Sequence, residues 1–339
     1  MAGETEEAGG SFEAIAGCLS RSSRARPALG EGASRLDTAG MRHRTLDFRD
    51  HRRELDDNRH VYAVISRRAG GLSIGLNLNA DKVCNFDCPY CQVDRRSPGG
   101  PREVDLERLE AELSHLLGLV RSGTLWQVPP FDTAAPALRQ VYDIAWAGDG
   151  EPTSSSAFGD SVDLVVALRE RFELPAVRLH LLSNATLFQR PAVAQALDRF
   201  TAAGGVIWGK LDAGTEPWFH LVDGTRLPFQ RVLDNLALAS TRWRLVLQCL
   251  FISWQGQGPS DEEITAWVGR IEALLAQGGR IEEVQITSIA RRPAQRSVGL
   301  VETARLEEIA ARAAALGLRV RVFPGLDPGP DAGPDRAQG

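Results

Sequence analysis

Along most of this chain, short β-prone runs alternate with helix-patterned segments, and that alternation constrains the fold more than any other feature. The runs lie near residues 72–79, 141–147, 177–183, 205–212, 243–252, 283–289 and 318–323. Antiparallel neighbours can be joined by a tight turn, whereas parallel neighbours need a crossover, usually a helix. Repeated strand–helix units therefore predict a parallel sheet of βαβ type. Leu106, Leu109, Leu113, Leu116 and Val120 fall at helical spacing, Pro191 suits a first helical turn, and Ser260 with Glu263 reads as a capping box. With 339 residues, 43% of them hydrophobic, the chain can bury one large α/β core. That core is expected over 41–324, with Met41 as a second candidate start. The tails 1–40 and 325–339 lack periodicity and are expected to be disordered. Pro129, Pro130 and Pro136 break both regular patterns between 126 and 140, which predicts a long connection, either a lid or an inert insertion.

Thirty-nine Lys and Arg against 44 Asp and Glu give a net charge of -5, so no overall basic field advertises a polyanionic partner. A local patch could still gather Arg52, Arg53, Arg67, Arg68, Arg95 and Arg96. The sequence has no run of the roughly 18 to 20 apolar residues that a membrane helix requires, and its first residues resemble no secretory or transit signal. The expected location is cytoplasmic, away from membrane.

Three of the five cysteines fall in one short run, NLNADKVCNFDCPYCQVDR, at Cys84, Cys88 and Cys91. Their spacing is C-x3-C-x2-C, just after the first expected strand. Thiolates are soft donors suited to iron–sulfur clusters or zinc. Three in one loop can hold three corners of a cubane and leave the fourth iron for another ligand. A structural zinc site needs four ligands and usually shows two paired knuckles. No second knuckle exists here, so zinc would have to recruit His60 or His180. A two-cysteine redox site at Cys88 and Cys91 leaves Cys84 unexplained. Cys249 lies within an apolar strand and reads as a buried small hydrophobe; Cys18 stands alone.

The cysteine spacing, with Tyr90 in the aromatic slot before the last cysteine, resembles the radical S-adenosylmethionine (SAM) superfamily. Further pieces follow in the order that family's α/β fold, a partial (β/α)6 TIM-like barrel, requires, over about residues 60 to 323. The second strand runs into Asp149, Gly150, Glu151, Pro152 and Thr153, similar to the family's Gly-Gly-Glu motif for the SAM amino group, with Asp149 in place of one glycine. Taken alone, Gly-Glu-Pro is equally an ordinary turn. Ser183 and Asn184 end the third strand, where similar enzymes place groups against the ribose or carboxylate of SAM; such residues also serve plain strand-to-helix turns. Lys210 and Asp212 end the fourth, either as a salt bridge or as contacts to SAM or substrate. Thr287 and the arginines Arg291 and Arg292 follow the sixth, with no role assigned.

The resemblance implies an enzyme in which Cys84, Cys88 and Cys91 bind one [4Fe-4S] cluster. Tyr90, Gly150, Glu151, Ser183, Asn184 and Asp212 would contact the cofactors. Reductive cleavage of SAM would give a 5′-deoxyadenosyl radical that abstracts hydrogen from an unknown substrate, with flavodoxin or ferredoxin as electron donor. The segments CNFDCPYCQVDR, GDGEPT, SNATL and KLDAGTEPWF look most like bacterial proteins related to wyosine-type tRNA-modifying enzymes. Those carry a second cysteine triad, which Cys18 and Cys249 cannot supply, and the acidic balance argues against tRNA. A glycyl-radical-enzyme activase and a non-catalytic metal-stabilised interaction module are the remaining alternatives.

Overall fold

The chain enters the sheet at β1 (Val61–Ser66), whose sequence VYAVIS is almost wholly apolar and β-prone. It pairs antiparallel with β2 (Gly71–Leu76), the pair turning at Gly70, whose positive φ of 73° suits glycine. β1 falls outside the seven runs expected as strands. Residues 55–326, apart from 56, 67, 292 and 294, are described in this computed structural model. The two tails, Met41, Cys18, Arg52, Arg53, Arg67 and Arg292 lie outside the described residues, except for Gly325 and Leu326.

After β2 come α1 (Leu106–Ser122), β3 (Val141–Trp146), α2 (Phe158–Arg171), β4 (Arg178–Ser183), α3 (Pro191–Ala202) and β5 (Val206–Lys210). Then follow α4 (Glu216–Asp223), α5 (Phe229–Arg242), β6 (Leu245–Leu250), β7 (Ser253–Trp254) and α6 (Asp261–Ala276). The chain finishes with β8 (Glu283–Thr287), β9 (Val298–Gly299), α7 (Thr303–Ala314) and β10 (Val320–Phe323). The main sheet has eight strands in the order β1-β2-β3-β4-β5-β6-β8-β10, parallel from β2 onward. Each parallel strand lies beside its predecessor, so crossovers of one hand stack their helices on one face. The result is a curled half-barrel, as expected. β7 and β9 form a small separate ribbon.

Strand alternation divides the side chains between two faces. Ile207 joins the large core between sheet and helices, whereas its neighbours Val206 and Trp208 pack with Val246 and Leu182 in a second cluster on the opposite, concave face. Tyr62 crosses that face: a side chain at Gly75 would collide with its ring, and its hydroxyl donates to the Ala147 carbonyl at 2.9 Å. At the far margin, β10 is half-exposed, and Arg321 on it and Arg319 just before it pair with Glu283 of β8.

The proline-rich connection forms three short 3-10 turns and buries Leu125, Phe131 and Ala134. It leads into the amino end of β3, opposite the strand ends that carry the cysteine loop, and so is an insertion and not a lid. Ser260 caps α6 by accepting from the Glu263 amide at 3.2 Å. Glu263 does not complete the expected box, because its carboxylate takes the Gly214 amide and the Thr215 hydroxyl after β5.

Candidate functional site

Residues 77–100 leave the carboxyl end of β2 and carry the three cysteines, where an open α/β sheet gathers its ligands. No long apolar run anchors this loop; polar contacts and close backbone approaches do. Asn77 ties its base to the end of β3, accepting from the Asp149 amide at 3.1 Å and donating to its carboxylate at 2.7 Å. Asn85, directly after Cys84, accepts from Asn184 at 2.6 Å and donates to Thr186 at 2.7 Å. Its carbonyl takes the Thr225 hydroxyl at 3.2 Å. Phe86 turns inward and meets Phe219 edge-on at 5.7 Å.

Two glycines clamp the loop from either side. A Cβ on Gly150 would lie 2.1 Å from the carbonyl of Val83, next to Cys84. A Cβ on Gly224, whose φ is 56°, would lie 2.0 Å from the carbonyl of Asp87, next to Cys88. Gly150, expected as a cofactor contact, thus sits against the cysteine loop. Gly224 was not anticipated.

The thiols are half-buried and unpaired with one another. Burial raises the Cys84 thiol above its ordinary value and pushes Cys88 up to about 12, the latter against the pull of Lys210. The Lys210 ammonium stands 3.2 Å from the Cys88 sulfur and the Arg95 guanidinium 3.6 Å from that of Cys91. Arg95 also donates to the carbonyls of Lys82 and Asp149, joining the loop to the end of β3.

Behind Cys88 lies a closed network. Lys210 pairs with Asp223 and, at 3.3 Å, with Asp212. The Tyr90 hydroxyl donates to Asp212, whose other oxygen takes the Leu250 amide at 2.8 Å. Burial opposes the Lys210 charge, yet the carboxylates around it and the Cys88 sulfur hold its titration well above the usual lysine range. Burial, only partly countered by Lys210, lifts Asp223 to about 6. Enclosure of its hydroxyl and the neighbouring Asp212 charge drive Tyr90 upward too. The Lys210–Asp212 salt bridge thus exists, enlarged by Asp223, a residue that nothing in its sequence surroundings singles out.

Glu151 is buried and knots the ends of β3 and β4 together. One oxygen accepts from the Thr153 amide and hydroxyl and from Ser183 at 2.7 Å; the other accepts the Asn184 amide at 2.7 Å. Burial raises its carboxyl above the ordinary range despite these donors. Beside it, the buried Oδ1 of Asn79 has no hydrogen-bond partner among the described residues. Gly150, Glu151, Ser183, Asn184 and the cysteine loop are therefore brought together, and Tyr90 and Asp212 meet at the neighbouring strand end.

Other expected residues lie elsewhere. Thr287 is buried and donates to the Cys249 carbonyl, and Cys249 is wholly buried in the core. Arg291 reaches the cysteine loop at Gln92, 2.6 Å away. His60 meets the Asn77 carbonyl and His180 pairs with Asp143. Among the described residues, no three of His, Cys, Asp and Glu converge to hold a single metal ion. A cubane asks for something different, because each thiolate takes its own iron. Three thiols on one clamped loop, two flanked by cations, suit that donor set.

No family model matches the chain. It is 26% identical over 191 residues to a UPF0026 protein of Helicobacter pylori strain 26695, covering 56% of this chain and 53% of the relative. A UPF0026 protein of strain J99 is 28% identical over 166 residues, 48% of this chain and 46% of the relative. The chain thus spans about half the length of the curated relatives it matches. Among solved structures, a radical SAM methyltransferase from Sphaerobacter thermophilus superposes with a TM-score of 0.53 at 13% identity, over 78% of this chain and 68% of that one. The two chains share a fold. A structure of TYW1 with a lysine-pyruvate adduct bound aligns at a TM-score of 0.48 and 15% identity, over 72% of this chain and 73% of the other. In the curled half-barrel of this chain, the candidate residues gather at the carboxyl ends of β2 to β5. Among the described residues no helix is long and apolar enough to cross a membrane.

Proposed function

We propose that this protein is a radical SAM enzyme that holds one [4Fe-4S] cluster on Cys84, Cys88 and Cys91 and acts on a substrate still to be identified. When bound, the cluster and SAM supply a 5′-deoxyadenosyl radical able to abstract hydrogen, with one electron delivered by a carrier such as flavodoxin or ferredoxin. The single observation that carries the reading is the clamped loop. It presents three thiols beside Gly150 and Glu151, in a fold shared with a radical SAM methyltransferase.

Each residue group then has a task. Lys210 and Arg95 offset negative charge at Cys88 and Cys91 once those thiols lose their protons. The second oxygen of Glu151 accepts one hydrogen bond and keeps a lone pair for the SAM ammonium. The unpartnered Asn79 Oδ1 adds a second acceptor on that side. Asn184 is held by Asn85 and Thr186 at the opposite edge, where a ribose hydroxyl or carboxylate would reach it. Tyr90 and Asp212 position Lys210. A cytoplasmic location accords with this chemistry, which needs reduced thiols.

Oxygen-free preparation with iron and sulfide should give a brown protein carrying about four irons per chain. Dithionite and SAM should then yield 5′-deoxyadenosine, and Cys88→Ala should abolish it. One zinc per colourless chain, or unchanged product from that variant, would overturn the proposal.

A further inference from the structure

The three thiols differ in what surrounds them, and the largest difference is one ammonium group. Lys210 closes β5, and its Nζ meets Asp223, Asp212 at 3.3 Å and the Cys88 sulfur at 3.2 Å. An ammonium carries three N–H donors and no acceptor. Two carboxylates and one sulfur therefore account for all three, so the contact with Cys88 completes a set and is not an incidental approach. The rings of Tyr90 and Phe86, with centroids 4.9 and 5.2 Å away, enclose the same group. The Lys210 side chain is 19% exposed and that of Asp212 0%, so salt and water screen these charges little.

The other two thiols are served differently. The Arg95 guanidinium stands 3.6 Å from the Cys91 sulfur, but it is more exposed and also attends the carbonyls of Lys82 and Asp149 and the Asp87 carboxylate. Cys84 meets the side-chain oxygen of Asn85 at 3.9 Å. Asp223 works on both sides of the contact at Cys88. Its carboxylate holds Lys210 and lies 3.8 Å from the Cys88 sulfur, and its carbonyl accepts the Asp87 amide at 3.3 Å. The cation is thus the nearer charge to that sulfur and the carboxylate the farther one.

Net charge and hydrogen bonds to the sulfurs are among the factors that set an iron–sulfur reduction potential. Negative charge added on reduction reaches the sulfur ligands. A cation donating to one of them stabilises the reduced form more than the oxidised form, and a carboxylate beside it does the reverse. We propose that Lys210 raises the reduction potential of the cluster through Cys88, and that Asp223 limits the rise. The inference rests on the radical SAM reading and makes Lys210 a positioning residue that acts through a cysteine sulfur. Lys210 is fixed at the end of a sheet strand and Asp223 at the end of α4, so neither has to reorganise when the electron arrives. A carrier then has less far to push the electron.

The full chain, reconstituted without oxygen and without SAM, is poised at a series of potentials with dithionite and redox dyes. The reduced fraction is read by electron paramagnetic resonance. In Lys210→Met the ratio of reduced to oxidised cluster at a given potential should fall about tenfold, as for one lost charge-assisted contact, a downward shift of about 59 mV for one electron. Asp223→Asn should shift the potential upward, and by less, because its carboxylate is the farther group. A merely displaced loop lowers the iron count and has no reason to move the two potentials in opposite directions. Either variant failing its sign overturns the proposal, and if Lys210→Met retains no iron the sign of Asp223→Asn decides alone. The unaltered protein separates the two readings: without an iron–sulfur centre the radical SAM reading falls, whereas a full centre whose potential neither variant moves removes the tuning role alone.

Discussion

Replacing Gly150 by alanine tests whether the end of β3 positions the cysteine loop. The new methyl would sit 2.1 Å from the Val83 carbonyl and 2.9 Å from the Asn79 side chain. Close carbon–oxygen contacts normally lie at about 3.3 Å or more, so one partner must retreat by roughly 1.2 Å. The end of β3 cannot easily do so, because Asp149 is tied to Asn77, and Glu151 to Ser183 and Asn184. The displacement therefore falls on Val83 and Cys84, beyond the roughly 0.5 Å within which a preorganised site must be held. Overpacking of this kind costs about 2 to 3 kcal/mol, or roughly 4 to 8 °C in Tm for a domain of this size. Thermal unfolding and iron content, measured together, are the assay. Gly204→Ala is the control: Gly204 has positive φ, at 85°, but nothing lies within 4 Å of the place its new methyl would take. That variant should lose about 1 kcal/mol from backbone strain and no iron. If Gly150→Ala binds as much iron as Gly204→Ala, the clamp is not what sets the cysteine loop.

Lys210→Met strands Asp212 and Asp223 without their counter-charge and should cost about 3 kcal/mol in denaturant unfolding of metal-free protein; adding Asp223→Asn should recover part of that loss. Cys249→Ser, which puts a hydroxyl into a wholly buried site, should lower stability by about 1 to 2 kcal/mol while iron content stays at the level of the unaltered protein. Burial works to raise the Glu112 carboxyl, but the amides of Arg59, His60 and Val61 and the Arg108 guanidinium outweigh it and hold the carboxyl below its ordinary value of 4.5. Its stabilisation is complete above that value and disappears as the pH falls through the lower folded value. Denaturation across pH 3 to 6 should accordingly show a steeper acid loss in the unaltered protein than in Glu112→Gln.

Apolar runs bounded by breakers exposed the seven parallel strands, because strands buried along most of their length, such as β2 and β5, leave near-continuous hydrophobic sequence. β1 was missed although VYAVIS is just such a run. It precedes the cysteine loop, has no crossover helix before β2, and turns through residues that read as surface. The thiols were legible from local spacing. Asn85, Asp223 and Gly224 were not, since each acquires its meaning from a partner distant in sequence: Asn184, Lys210 and Asp87. The same limit hid the destination of Glu263, whose position three residues after Ser260 described a cap while Gly214 and Thr215 claimed its carboxylate.

A sheet that curls without closing retains two margins, and a bare margin is a template onto which another chain can add a strand. β10 forms one of them, and its short length, the paired Arg321 on it and Arg319 just before it place bulk and positive charge along that border. An approaching strand of any second molecule would have to desolvate those guanidinium groups to dock. The open barrel can thus keep its interior reachable while discouraging self-association along its rim.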